Sequence, residues 1–303
     1  MSSSSGPFTN SLLNALAPED LHGLRPHLGP VDLPQGSVLL QPHEPIPYVY
    51  FLEAGLSSDV AMADGERPVE CGLVGFEGLV GLPVVFGTDR GIHDSLMQVG
   101  GHGHRIGSAE LRRAMQESPS LRRLLLNFAH VFTCLTAQTA ACNARHVIEQ
   151  RLARWLLLSH DRMADDRVPL THEYLALMLG IRRAGVTTAL HELEGEKLIR
   201  AGRDHITVVD RAGLEARSCG CYAMVTEEAK RVLGAAGSSI RGCMNHGGWR
   251  RSRARGGTHQ HPTGHSRARG EHHPGEEHQT NSADRREEQD KVAIGLRSGR
   301  TAR

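Results

Sequence analysis

The sequence of 303 residues has no apolar run approaching the ~18–20 residues of a membrane-spanning helix, so we predict no membrane segment. Its first residues, MSSSSGPFTN, lack the basic start and apolar core of a secretory signal. The six cysteines form no CxxC pair and no disulfide-scaffold spacing, which indicates a reducing cytoplasm and predicts neither a metal site nor a cofactor. No Ser/His/Asp set or carboxylate pair stands out, so we predict that the protein is not an enzyme.

The net charge of +1 hides an uneven distribution along the chain. Residues 241–303 carry 13 Lys and Arg against 7 Asp and Glu, a net +6, which leaves 22 against 27, a net −5, elsewhere. This segment has almost nothing to bury, and such a composition does not offset the entropy lost on ordering. We therefore predict a mostly disordered tail over 223–303, and any nucleic-acid interface must be a local feature of the folded part.

Short segments typical of strands, separated by Gly, Pro and Asp, follow one another from Ser37 to Gly107. This spacing predicts an antiparallel sandwich or jelly roll, which is a double-stranded β-helix. Short helices are predicted before it, and helical spacing returns after Ser108. We expect an α+β protein whose first domain, a sensor, spans 11–118.

A long helix is predicted over 119–144, because apolar residues recur there every three or four positions. Its apolar stripe either covers the protein's own sheet or pairs with the same helix of a second chain through about three heptads. We favour self-pairing, because the stripe is narrow and the other faces are polar. Cys134 and Cys142 are interpreted as small buried residues, with oxidation sensing as the alternative. The predicted dimer interface consists of Leu121, Leu125, Phe128, Phe132, Leu135 and Cys142.

A pattern of two short helices around one glycine lies between Thr171 and Leu193. Ala176 is small where the helices must approach, Gly180 supplies a left-handed turn, and apolar residues occupy the positions of a wedge between the helices. Thr171 can cap the first helix. The segments EGEKLIR and RDHITVVD then predict two strands joined by a turn. The pattern predicts a winged helix-turn-helix over 145–222, in preference to an ordinary helical hairpin.

The second helix of this motif, predicted from Arg182 to Leu193, directs polar side chains away from the wedge. Arginine can bind guanine edges and phosphates, and threonine methyls can contact thymine methyls in the major groove. The predicted DNA-binding residues are Thr171, His172, Arg182, Arg183, Gly185, Thr187, Thr188 and His191.

In this order, a jelly roll, a long self-pairing helix and a winged helix-turn-helix resemble the Crp/Fnr family of bacterial transcription regulators. The likeness spans about Leu12 to Tyr222 and is most specific in LTHEYLALMLGIRRAGVTTALHELEGEKLIR. It implies a cytoplasmic homodimer on double-stranded DNA, with a palindromic operator and one recognition helix in each half-site. It also implies RNA polymerase as a further partner.

The chain departs from the family at the effector site and at the recognition helix. The family's cyclic-nucleotide signature has a glutamate for the ribose where this chain has Leu79, and an arginine for the phosphate where it has His93 and Asp94. The iron–sulfur branch needs an N-terminal cysteine cluster, whereas the first cysteine here is Cys71. We expect an unknown effector other than cyclic AMP. Because only Arg183 matches the base-reading positions of the cyclic-AMP receptor, the operator should differ too.

A second function stays open at this point. The protein could be a ligand-binding regulatory module that acts on a protein partner and carries a vestigial winged helix. Arg182 and Arg183 favour DNA binding, since a vestigial motif has no reason to keep exposed arginines at these positions.

Overall fold

The computed structural model describes residues 8–62 and 68–238 and contains both helices and strands. The helices are α1 (Ser11–Asn14), α2 (Pro18–Leu24), α3 (Leu82–Val85), α4 (Ser108–Glu117), α5 (Pro119–Arg145), α6 (Ile148–His160), α7 (His172–Met178), α8 (Arg183–Gly195), α9 (Arg211–Arg217), α10 (Cys221–Leu233) and α11 (Ala235–Ser238), with a 3-10 turn at Arg25–His27. The strands are β1 (Gly29–Leu33), β2 (Val38–Leu40), β3 (Tyr48–Ala61), β4 (Val69–Val74), β5 (Leu79–Val80), β6 (Asp94–Gly107), β7 (Arg167–Val168), β8 (Ile199–Ala201) and β9 (Ile206–Val208). The α+β class is confirmed.

The N-terminal strands form one antiparallel sheet of six strands, in the order β1-β6-β3-β4, with β2 paired to β6 and β5 paired to β3. The 14-residue strands β3 and β6 form its centre, and their register shifts near Ala54, which bends both strands. Glycine is required at this bend, because a Cβ on Gly101 would lie 2.0 Å from the carbonyl oxygen of Ala54. The predicted antiparallel β domain is confirmed.

The C-terminal domain consists of α6 to α9 and a small antiparallel sheet in the order β7-β9-β8. Strands β8 and β9 are the two wing strands that the sequence predicts. Strand β7 was not predicted, because two residues are too few to show a strand periodicity. A single core of leucine, valine and isoleucine side chains joins α6, α7 and α8 to these strands.

The apolar stripe of α5 lies against the protein's own sheet, which corrects the predicted dimer interface. Phe128 and Phe132 occupy space left by two glycines of the sheet region. A Cβ on Gly78 would lie 2.3 Å from the Phe128 ring, and a Cβ on Gly72 would lie 2.4 Å from the Phe132 ring. Leu121, Leu125, Phe128, Leu135 and Cys142 are buried and Phe132 is half-buried within one chain. The periodicity identified the buried side of α5 but not the surface that covers it.

The boundary of the predicted tail also needs correction, because residues 223–233 and 235–238 are helical. Val225, Ala229 and Leu233 of α10 are buried, and α10 packs along α5. His130 of α5 forms a 2.8 Å contact with Glu228 of α10. The remainder of the predicted tail, 239–303, lies outside the described residues.

Helix α5 modifies the expectation that the chain has no membrane segment. By length and composition alone it could cross a membrane, since an 18-residue window has a mean hydropathy of 1.2. It packs against the sheet and against α10. Only 22% of that window is buried, so much of the helix surface is exposed within the described chain.

Candidate DNA interface

The helix-turn-helix is built from α7 and α8 around a left-handed glycine. Gly180 has φ of 61°, a conformation that other residues rarely adopt. The hydroxyl of Thr171 accepts a hydrogen bond from the Tyr174 amide at 3.3 Å and so caps α7, as predicted. The wedge between the helices consists of the buried side chains Leu175, Ala176, Leu179, Val186, Ala189, Leu190 and Leu193.

The predicted recognition helix presents its polar residues at the surface. It begins at Arg183, with Arg182 as its N-cap residue. The structure places the predicted residues as follows: Thr171, Arg182, Arg183, Thr188 and His191 are exposed, and His172, Gly185 and Thr187 are half-buried. All eight predicted residues are therefore at least partly accessible on α7, α8 and the segments that flank them.

Two of the predicted DNA-binding residues act electrostatically on a third, His172. Burial lowers the pKa of His172 below its ordinary value, and the nearby charges of Arg183 and His191 lower it further. The hydroxyls of Thr187 and Thr188 each donate to the backbone carbonyl four residues earlier, at 3.1 Å. The threonine protons are thereby used within α8, which leaves methyl groups and hydroxyl lone pairs for a ligand.

The wing carries basic residues that the sequence reasoning missed. Arg167 of β7 and Arg200 of β8 both pair with Thr207 of β9, so the three residues form one row across the sheet. Both arginines are exposed, whereas the neighbouring row of Val168, Ile206 and Ala201 faces inward or is half-buried. The alternation of polar and apolar residues in RDHITVVD could have indicated the outward side of β9, but not its partner arginines.

Buried polar contacts join the C-terminal domain to the N-terminal sheet. Glu70 of β4 accepts hydrogen bonds from Trp155 of α6 at 2.8 Å, from Gln98 at 2.8 Å and from Ser58 at 2.7 Å. A second link is a buried ion pair in which Arg162 Nε lies 2.7 Å from Glu77. Replacing one partner of such a link leaves the other polar group buried without a hydrogen-bond partner, which lowers the free energy of unfolding by about 1–3 kcal/mol or more.

Glu70→Gln should remove part of the pH dependence of stability. Burial raises the pKa of Glu70 from 4.5 to about 7, although its three hydrogen bonds and Arg154 act in the opposite direction. Because the folded protein retains a proton that the unfolded chain loses, this contribution is full below pH ~4.5 and is lost as pH rises through about 7. The melting temperature of the wild type should therefore fall between about pH 5 and pH 8 by more than that of Glu70→Gln.

Burial also raises the pKa of Asp59, to about 6. Because Asp59 is unchanged in Glu70→Gln, this variant should lose only part of the pH dependence of the melting temperature. The control is Glu117→Gln, which changes an exposed glutamate of α4. Identical profiles for wild type and Glu70→Gln would show that Glu70 is already ionised in the folded protein.

Comparison with known proteins defines the class. Residues 150–217 match the family model of the Crp-like helix-turn-helix domain. No curated protein matches the sequence. The described chain therefore carries a recognised type of DNA-binding domain across α6 to α9.

Solved structures with the same fold include several Crp/Fnr regulators. FixK2 from Bradyrhizobium japonicum is 16% identical, with a TM-score of 0.57, and the match covers 63% of this chain and 98% of that one. A putative Crp/Fnr regulator from Eubacterium rectale is also 16% identical, with a TM-score of 0.54, and the match covers 68% and 96%. A Crp/Fnr regulator from Thermus thermophilus is 23% identical, with a TM-score of 0.52, and the match covers 63% and 98%.

The fold and the domain together define the class: the protein has a Crp-like helix-turn-helix and the architecture of the Crp/Fnr transcription regulators. These matches extend over nearly the whole length of the known regulators. The architecture therefore includes the N-terminal sheet and α5 as well as the helix-turn-helix domain.

Proposed function

We propose that the protein is a sequence-specific DNA-binding transcription regulator that binds a palindromic operator as a homodimer. The observation that carries this proposal is the exposed set on α8, with Arg182 and Arg183 at the first turn, supported on a capped and buried wedge. Base edges would be contacted by Arg183, Thr188 and His191 in the major groove. Arg167 and Arg200 of the wing would contact phosphates.

The test is selection of bound sequences from a random pool of duplex DNA. We expect an enriched motif with two-fold symmetry and half-sites separated by about one helical turn. Affinity for that motif should fall steeply with salt, because phosphate contacts release counterions. A pool that shows no enrichment would favour the ligand-binding module with a vestigial winged helix. RNA polymerase is a further partner that the proposal includes.

The proposed dimer uses the exposed side of α5. Outward residues recur at alternating spacings of four and three, which is the pattern of a coiled-coil seam. Leu126 is 42% exposed, although large apolar side chains are costly to leave in water. Small side chains further along allow two helices to approach closely. The proposed seam consists of Leu126, His130, Thr133, Ala137, Ala140 and Ala144, all exposed.

The proposed effector is not cyclic AMP, and the interior of the sensor supports this. Leu79 is fully buried in β5, so the position of the family's ribose-binding glutamate is a core position here. Arg90 donates one hydrogen bond to the carbonyl oxygen of His43 at 2.6 Å, and Arg105 lies over the Tyr48 ring at 4.4 Å, so each guanidinium already has a contact within the protein. Two voids against α5 have volumes of only about 10 and 20 Å³, below the ~300–1,000 Å³ of ligand pockets. A cavity of about 530 Å³ that includes Glu53 and Asp204 in its lining is large enough for a ligand, but Leu79 does not line it.

Cyclic AMP should show no binding at micromolar concentration in a calorimetric titration. Loss of the carboxylate and the guanidinium contacts removes ~3–6 kcal/mol, which is about 100-fold or more in affinity. Cyclic GMP is the comparison ligand, and each nucleotide is also added to the DNA-binding assay at millimolar concentration. Micromolar binding that tightens DNA affinity would overturn this part of the proposal.

A further inference from the structure

Three cysteines and one histidine converge where the DNA-binding domain joins α5 and α10. Cys142 lies in the last turn of α5, and His146 is its C-cap residue. Cys219 precedes α10, and Cys221 is its first residue. One donor atom from each of the four residues lies within 4.8 Å of the others. The three cysteines are buried, and His146 is half-buried.

Two distances between these donor atoms match those of ligands around a single ion, and the whole set lies within 4.8 Å. Around a tetrahedral Zn²⁺ with Zn–S bonds of about 2.3 Å and a Zn–N bond of about 2.0–2.1 Å, two sulfurs lie about 3.8 Å apart, and a sulfur and a nitrogen about 3.6 Å apart. In this protein Cys142 Sγ lies 3.5 Å from Cys219 Sγ, and Cys221 Sγ lies 3.5 Å from His146 Nδ1. An iron–sulfur cluster needs more room, because several iron and sulfide atoms must fit between the ligands.

Burial raises the pKa of Cys142 and of Cys219, but several features of the surroundings favour thiolate ligands. Cys221 begins a 13-residue helix, whose N-terminus favours negative charge. Gln138 Nε2 donates to Cys221 Sγ at 3.0 Å, which fixes that sulfur from outside the set. Arg151 and Arg154 lie close enough to Cys142 to act on its charge. Three thiolates around Zn²⁺ leave one net negative charge, which these arginines can balance.

We propose that Cys142, His146, Cys219 and Cys221 form a Zn²⁺ site that ties the end of α5 to the start of α10. On binding, the ion takes the places of three thiol protons, which pass to solvent, and His146 binds as neutral imidazole. The ligand pairs flank residues 150–217, so the ion closes the DNA-binding domain at its base. Arg151 extends this link, since it donates to Asn143 at 3.1 Å and to the carbonyl of Leu179 beside the turn of the motif.

The test is metal binding by the full, reduced chain, read out without DNA. Zinc content should reach about one ion per chain at this site, and Co²⁺ should give the visible and near-ultraviolet bands of a tetrahedral thiolate complex. Cys142→Ser, Cys219→Ser and Cys221→Ser should each lose these bands. Matched controls are Cys71→Ser, Cys134→Ser and Cys243→Ser, which should keep them. Histidines elsewhere in the chain cannot supply the thiolate band.

A second variant separates metal loss from misfolding. His146→Cys keeps four ligands and should retain the metal, with a stronger thiolate band than the wild type. Zinc should raise the melting temperature of the wild type and of His146→Cys, but not that of a Cys219→Ser protein with native circular dichroism. Absence of a cobalt band in reduced wild type, a band that survives Cys142→Ser and Cys219→Ser, or a brown iron–sulfur chromophore would overturn the proposal.

Discussion

Arg183→Ala should weaken binding to the selected operator by about 5- to 150-fold, which corresponds to ~1–3 kcal/mol, and relax the preference at one base pair. Arg183 is exposed in the first turn of α8, where a guanidinium can reach two acceptors of one guanine. Binding should be measured by fluorescence anisotropy on the operator and on single-base variants at fixed salt concentration.

Two other variants make this result specific. Arg200→Ala in the wing should weaken binding on all sequences and reduce the salt slope by about one, as expected of a phosphate contact. Arg25→Ala removes an exposed arginine of the sensor domain and should leave binding unchanged. If Arg183→Ala weakens binding equally on every sequence, Arg183 contacts phosphate and the bases are read by other residues.

If the proposed dimer forms through α5, Ala137→Glu should convert it into monomers and lower operator affinity by about 100-fold or more. Ala137 lies on the exposed side of α5, where the change places a charge in the proposed seam without disturbing the core. A dimer gains affinity because its second half-site binds as an intramolecular event, and a monomer loses that gain. Sedimentation velocity measures the oligomeric state, and anisotropy compares the palindrome with one half-site.

The matched control is Ala223→Glu, which makes the same change at an exposed alanine of α10 and should leave the dimer intact. Phe132→Asp is a further comparison. Its ring fills the space beside Gly72, so this variant should destabilise the protomer itself. A stable dimer of Ala137→Glu would place the interface on another surface.

The helix-turn-helix was predictable from sequence because each of its signals is local. The wedge follows from the 3.6-residue period of two adjacent helices, and the turn follows from Gly180, which adopts φ of 61°. Thr171 caps α7 by accepting a hydrogen bond from the amide of Tyr174, only three residues further along the chain. The alternation of short strands and turn residues similarly predicted the antiparallel sheet, because hairpin pairing depends on neighbouring segments.

Tertiary structure decided which surfaces meet. A heptad stripe shows which side of α5 is apolar, but a sheet and a second helix satisfy that stripe equally well. Gly78 leaves space for the ring of Phe128 and Gly72 leaves space for the ring of Phe132, so the stripe packs against the sheet. Helix α10 also depends on tertiary contacts, because α5 covers its apolar face. This packing stabilises a helix in a segment whose composition alone predicts disorder.

The cysteine and histidine set was beyond local reasoning for a related reason. Cys142 and Cys219 are 77 positions apart, and an entire DNA-binding domain folds between them. No spacing rule spans such a distance, since the approach of the two sulfurs depends on how α5 and α10 pack. The sequence by itself therefore determined the local elements, the wedge and the polar surface of α8. Only tertiary packing decided which side of α5 is free and which residues converge at the base of the domain, because both depend on contacts between distant segments.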